Sequence, residues 1–494
     1  MNRKHALKLI SALVAAAVLV MSFAVYPHAL ELPFQTYNYN YWEDIVYTPA
    51  AYQPDYTVSG LDLSFEGKKI GSFVTPQDMC VSSDGRIFLA DTGNNRIVIL
   101  SSDAKNVCGI IDSFENDGKN DTFNQPSGVA YSDKDQLYIA DSQNHRIVVL
   151  DAEGSLVRMI ENPRAEALEE GFVFVPLKIT VDYADRVYCV AQNMFEGIMV
   201  FETNGEFAGF FGTISVEITL WEKFWRRIAT KEERDKSRLY IPTEFTGVDI
   251  DPDGFVYASN IDPAGVQGVR RLNPKGQDVI KKGSNGNLGG DLQISDTTDY
   301  AGPSQFTDVL YRENGIYSCL DRKRGRIFTY DHEGNLLYIF GGMGQANGNF
   351  HYPVAIEKVG GDIIALDATK AEIIYFRETQ YGRLINEAVS LRFGGDETLA
   401  VPLWQQVLLL DENNELANTG IGKAYLTSGD YKQAMKYLKL GMARSYYSVA
   451  LKRYRNEFLR RHANIILTAA CLGSALIYAY PKMKKMKKKG GGDA

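Results

Sequence analysis

Two stretches of this chain, Val74–Asp103 and Phe123–Gly154, are copies of one another with Pro76 and Pro126 in register fifty residues apart. Each copy runs from an apolar strand through a polar turn, at Ser83–Gly85 or Asp133–Asp135, into a strand ending Leu-Ala-Asp or Ile-Ala-Asp. An Asn-x-Arg turn follows, then Ile97–Leu100 or Ile147–Leu150. Alternating apolar strands joined by tight polar turns make an antiparallel meander. Self-similarity at this period confines a chain to a repeat architecture, because one unit cannot bury its apolar face without a neighbour.

Four weaker copies keep the register: Pro176–Phe211, Phe245–Lys281, Phe306–Phe340 and Pro353–Glu387. At the position of Asp91 the six copies hold Asp91, Asp141, Ala191, Asn260, Asp321 and Asp367. The first two copies resemble the NHL repeat, and Asn144-His145-Arg146 stands where that family has its name-giving Asn-His-Leu. The resemblance covers roughly residues 60–390 and implies a mainly β fold, a six-bladed NHL-type β-propeller, for residues 37–393. A closed ring must leave no strand edge free. The Tyr-rich stretch Tyr37–Phe73 is therefore expected to complete the last blade, with Leu384–Phe393 as its partner. A ring of near-equivalent acids is blade chemistry before it is an active site. Asp91, Asn94 and Arg96, Asp141, Asn144 and Arg146, and also Asp321 and Asp367, are expected to hold turns, since a carboxylate accepts backbone N–H bonds and Arg forks onto it.

Two insertions break the pattern. Residues 213–240 place Trp221, Phe224 and Trp225 at helical spacing beside Arg226 and Arg227, a composition enriched at interfaces, while 282–305 is a Gly- and Asp-rich loop. Residues 396–461 are expected to be helical. Gly422, Tyr425, Gly429, Tyr431 and Ala434, with Trp404 in a preceding helix, resemble the packing positions of TPR units. About one and a half units are too few to stand alone, so these helices are expected to pack on the propeller or on a partner.

Both ends read as membrane-directed. Arg3, Lys4 and Lys8 precede the uncharged stretch Leu9–Val25, so residues 1–26 are a signal peptide or an N-terminal anchor. Residues 463–480 form a second uncharged run of eighteen residues, roughly 27 Å as a helix. Lysines crowd the tail 481–494, which places it in the cytoplasm and the rest of the chain outside. The net charge of −8 conceals a strong asymmetry. Residues 444–494 carry +10 and Arg3, Lys4 and Lys8 a further +3, leaving −21 on residues 9–443, a surface that repels nucleic acid. Cys189 and Cys319 fall at the same inner-strand position of two non-adjacent repeats, and Cys80 and Cys108 on inner and outer strands of one repeat, so buried free thiols are expected, with a disulfide as the alternative outside the cytoplasm.

For catalysis the residue supply is thin. Of six histidines, His145 and His332 fall in turns expected to be solvated, and no pair has zinc-ligand spacing. Asp249-Ile-Asp251-Pro-Asp253-Gly254 resembles the start of a calcium loop, but Asn260 stands where a bidentate Glu is needed, so a hairpin turn is expected. No metal, cofactor or catalytic residue is assigned. The expectation is a membrane-anchored extracytoplasmic binding or scaffold protein with a membrane protein or extracellular ligand as its partner. The alternative is a metal-dependent lactonase or lyase of the gluconolactonase-like propeller type. The layout also resembles NHL/TPR proteins of Gram-positive bacteria, some of them associated with sugar-uptake systems.

Overall fold

A computed structural model describes residues 32–489 apart from 166–167, 169–170, 213–243, 263–264, 266–267, 284–287, 289 and 293–300. The Trp221, Phe224, Trp225, Arg226 and Arg227 insertion, the expected signal peptide or anchor at residues 1–26 and the last five residues lie outside the described residues.

Six antiparallel sheets surround a common axis. Blade 1 runs Asp78–Val81, Ile87–Asp91, Arg96–Leu100 and Val107–Ile111 from axis to rim. Blade 2, from Pro126–Tyr131 to Leu156–Ile160, repeats it strand for strand. Blades 3, 4, 5 and 6 begin at Pro176–Val181, Phe245–Ile250, Phe306–Glu313 and Pro353–Val359. The second strand is wholly buried in blades 1 to 5, Ile87–Asp91 and Leu137–Asp141 included, and in blade 6 from Ile363 onward. Its continuous apolar sequence fits a strand covered on both faces by neighbouring blades. The turn after the repeated Asp needs one left-handed residue, supplied by Asn95 (φ 54°) and His145 (φ 57°). Asn and His enter that region more readily than most side chains.

Closure comes from the N-terminal side. Tyr52–Ser59 pairs antiparallel with Glu372–Glu378 as the outermost strand of blade 6. The hairpin Tyr37–Tyr39 and Ile45–Tyr47 is added to the rim of blade 5 through Tyr37 opposite Ile339. Leu384–Phe393 does not take part. It belongs to helix α1, Gln380–Phe393, whose buried Tyr381, Leu384, Ile385, Ala388 and Val389 recur at helical spacing. That period cannot place one side of a strand against a core.

Four more helices follow: α2, Glu397–Leu410; α3, Glu415–Ser428; α4, Tyr431–Leu440; and α5, Arg444–Lys489. Side-chain caps start three of the five. Thr379 accepts from the Gly382 N–H, Asn414 from Ala417 and Asp430 from Gln433. Small residues set the spacing between them. A Cβ on Gly420 would stand 2.5 Å from Trp404 Nε1, and one on Gly422 2.6 Å from Leu438. The Tyr425 and Tyr437 rings stack at 5.7 Å, Ala434 is buried, Gly429 ends α3 at φ +89°, and Tyr431 opens α4.

The helices are fixed to the propeller. A Cβ on Gly382 would come within 2.3 Å of the Ala51 carbonyl oxygen, so α1 rests directly on the chain leading into blade 6. A buried polar chain crosses the contact. Arg312 donates to the Tyr338 hydroxyl (2.7 Å) and the Tyr52 hydroxyl (2.5 Å), Tyr338 donates to Asn386 Oδ1 (2.7 Å), and Asn386 donates to Glu378 (2.7 Å). Such a network is strong only when its members are satisfied together, and it fixes one orientation.

Helix α5 contains a stretch long and apolar enough to cross a membrane, with mean hydropathy 1.6 and none of it buried. Cys80, Cys189 and Cys319 are buried free thiols; Cys108 is free but exposed, contrary to expectation, because it lies on the rim strand of blade 1 facing out.

Candidate functional site

The repeated acids lie between strands. Asp91 accepts from the Val74 N–H (2.7 Å), Asn94 Nδ2 (2.8 Å) and Arg96 Nε (2.7 Å). Asp141 accepts from the Asn124 N–H, Asn144 Nδ2 and Arg146 Nε at 2.7, 2.9 and 2.8 Å. Asp321 takes the Gln305 and Lys323 N–H groups, and Asp367 those of His351, Tyr352, Thr369 and Lys370. Together these bonds tie the segment entering a blade to the turn between its second and third strands. The hydroxyl next in sequence reaches the following blade: Thr92 donates to the Pro126 carbonyl (2.7 Å) and Ser142 to that of Pro176 (2.6 Å). The acids are thus engaged by turn donors and buried away from solvent.

The axis holds different residues, which the sequence reading did not single out. At the same register position of the six innermost strands stand Asp78, Gly128, Lys178, Gly247, Asp308 and Ala355. Charged and small residues alternate around the ring. The small ones leave space for Lys178, which reaches from blade 3 to Asp78 of blade 1, to Asp308 of blade 5 at 3.3 Å and to the Val354 carbonyl of blade 6 at 3.2 Å. A side chain bonded to the opposite blade crosses the axis, so Lys178 closes the tunnel.

Two residues farther along the innermost strands, Asp249 and Glu357 line the wall. Asp249 accepts from the Tyr311 N–H (2.6 Å) and Asp308 from the Ile356 N–H (3.0 Å), each bridging to the next blade. Asp78 does the same for Val129 (3.0 Å). Burial raises all four carboxyls. Asp249 is pushed up to about 7 despite its backbone bonds, and Asp308 to about 6 despite Lys178. Asp78 is raised by burial against the pull of Lys178, and Glu357 is raised well above its ordinary value by burial and by Asp249. Like charges this close are costly to ionise together. Burial thus opposes full ionisation of the axis, whose carboxyls act as inter-blade clamps.

The only two histidines in blade turns are not free. His145 Nδ1 lies 2.9 Å from the Phe174 carbonyl. His332 packs edge-on against Phe393 at 5.1 Å, and burial lowers its pKa. Helix α1, folded back over this turn, removes the solvent that the sequence reading had placed there. Asp251 accepts from the Asp253 and Phe255 N–H groups (3.0 and 2.9 Å) as the hairpin turn of blade 4. Among the described residues no three His, Cys, Asp or Glu side chains are grouped to hold a metal ion.

Where the propeller meets the helices lies a cleft of about 700 Å³. One wall is the hairpin at Asn38–Tyr41 with the blade 5 turn; the other is the start of α3 and the first turn of α5. At its floor Glu333 accepts from Arg392 Nη2 (2.7 Å) and Lys423 Nζ (2.9 Å). Burial alone would raise Glu333, but Lys423 and Arg392 hold it down at about 2. The Arg392 and Lys423 side chains are 4% and 8% exposed, and Asp331 lies 4.0 Å from Arg392 Nη1, so the floor is a desolvated ion cluster of two cations and two carboxylates. Lys423 also sits over the Tyr446 ring (4.3 Å), and Arg444 over Tyr41 (4.9 Å). The volume falls in the range of ordinary ligand pockets.

The NHL repeat family profile matches residues 73–100 and 123–150, the cores of the first two blades. No curated protein sequence matches. Among solved structures the chain is similar to a streptogramin B lyase at 13% identity, covering 63% of this chain and 82% of that one with a TM-score of 0.38. Virginiamycin B lyase from Staphylococcus aureus gives 10%, 65%, 98% and 0.40, and a protein of unknown function from Bacteroides thetaiotaomicron 14%, 68%, 79% and 0.42. Likenesses this distant carry nothing about activity.

Proposed function

We propose that this chain is a membrane-anchored, extracytoplasmic binding or scaffold protein that engages its ligand or partner in the cleft between propeller and helices. One observation carries the reading. The cleft is built jointly by the blade 5 rim, α3 and the first turn of α5, and α5 runs on without interruption into the stretch able to cross a membrane. The lysines beyond that stretch support a cytoplasmic tail. Glycine-spaced packing of Trp404 on Gly420 and Leu438 on Gly422 supports a TPR-like helical segment, and the sugar-uptake association implied by the family resemblance belongs to the same reading. Against a tunnel lactonase or lyase stands Lys178, whose ammonium fills the axial position that such a site would need open.

The test is a variant that fills the cleft. Ser445 lies exposed on its wall, and Ser445→Trp should leave melting unchanged while removing the stabilisation that a screened ligand gives the wild-type chain in detergent. A ligand that stabilises both proteins equally would place binding elsewhere.

A further inference from the structure

We infer that the cleft recognises an oxyanion, a phosphate or carboxylate carried by a small molecule; the inference rests on the cleft being the binding place. Five cationic side chains line it, Lys281, Lys282, Arg392, Lys423 and Arg444, against three acids, Glu333, Asp411 and Glu415. The acids are occupied or subdued. Glu333 is shared by Arg392 and Lys423. Asp411 accepts from the Tyr381 hydroxyl (3.0 Å) and Asn414 Nδ2 (3.1 Å), and burial raises Glu415. This positive recess lies in a region, residues 9–443, whose net charge is −21.

Two further features point to a ligand with oxygens of its own. Arg392, 4% exposed in its side chain, bonds Glu333 through Nη2 alone, while Nε and Nη1 carry no hydrogen bond and the nearest Asp331 oxygen is 4.0 Å away. A buried guanidinium with donors unused is an incomplete fork, and carboxylates and phosphates complete such forks. In addition, α3 and α5 both begin at the cleft, through Glu415–Leu416 and Arg444–Tyr446. The first N–H groups of a helix have no partner within it, and the positive end of the helix dipole lies there. Two helix starts and a buried arginine converge on one recess.

The experiment uses the full chain in detergent with three probes matched in body and differing in charge: glucose 6-phosphate, glucuronate and glucose. Calorimetry should show saturable binding of at least one anionic probe, about tenfold or more tighter than glucose and weakening as salt rises. Lys282→Gln/Arg444→Gln changes exposed side chains at the rim, so it should fold normally and weaken that probe by about tenfold. Arg392→Lys, which keeps the charge but not the fork, should weaken it further. If neither anionic probe binds, or if the rim variant binds as tightly as the wild type, the oxyanion inference falls. Should glucose bind as well as the anions and lose binding in Ser445→Trp, the cleft reading survives and only the charge inference fails. Anion binding untouched by Ser445→Trp would remove both.

Discussion

Asp249→Asn should gain stability relative to the wild type as pH rises from 4 to 8. In the folded chain this carboxyl titrates at about 7, up from 3.8. Between those values the folded chain keeps a proton that the unfolded chain releases, so stability falls as pH rises across that window. The contribution is complete below about pH 4 and gone above about pH 7. At about 1.4 kcal/mol for each pH unit, the full interval is worth about 4 kcal/mol. Part of the side chain faces the tunnel lumen, and Asp308 titrates with it, so about 2 kcal/mol is the working figure. Asn keeps an oxygen for only one of the Tyr311 and Ile250 N–H groups, which Asp249 accepts on separate oxygens at 2.6 and 2.8 Å, so the variant also carries a pH-independent loss of about 1–3 kcal/mol. Thermal melts of wild type and variant at pH 4, 6 and 8 should therefore show the variant below the wild type at pH 4 and gaining on it by a few degrees by pH 8. A difference between the two curves that is the same at every pH, or that widens against the variant toward pH 8, would show that Asp249 ionises in the folded chain as readily as in the unfolded one.

Lys178→Met should destabilise the propeller by about 3–5 kcal/mol in denaturant titrations, because Asp78 and Asp308 lose the ammonium between them; adding Asp78→Asn should recover part of the loss, and failure to recover would deny the triad. Asp141→Asn should cost about 1–3 kcal/mol by leaving the turn donors less well paired, without affecting ligand binding in the folded fraction. Gly420→Val should lower the melting temperature by forcing Trp404 out of its seat, and an unchanged melt would show that the seat tolerates a side chain. Protease applied to intact protoplasts should remove the propeller and spare a tag at Ala494; a digested tag would overturn the proposed topology.

The blades were legible because their signal is local and repeated: one turn chemistry, Asp with Asn and Arg, recurs at a fixed spacing in copies one and two. The axis was written in the same register, two residues after Pro76, Pro126 and Pro176, yet Asp78, Gly128 and Lys178 look unrelated until the ring brings them together. Their meaning is a property of closure, which no window of sequence contains. Helix α1 was misread for a related reason. Leu384–Phe393 was expected to join Tyr37–Phe73 in completing blade 6, whereas Tyr52–Ser59 of that stretch completes it by pairing with Glu372–Glu378, more than three hundred residues later. The cleft had no sequence signature at all, since its walls come from the hairpin at residue 40, the turn at residue 333 and the starts of two helices.

That pairing of Tyr52–Ser59 with Glu372–Glu378 has a biosynthetic consequence. During synthesis the chain emerges with its closing strand first, and that strand must wait for its neighbour while five blades are made. The hairpin at Tyr37–Tyr47 waits almost as long for Leu336–Phe340. Contacts of such long sequence separation are slow to form, and an unpaired edge is a template for wrong pairing in the meantime. A chain cut short anywhere before residue 372 is thus an open arc with two sticky ends, and the completed ring is reached only after nearly all of the propeller has been made.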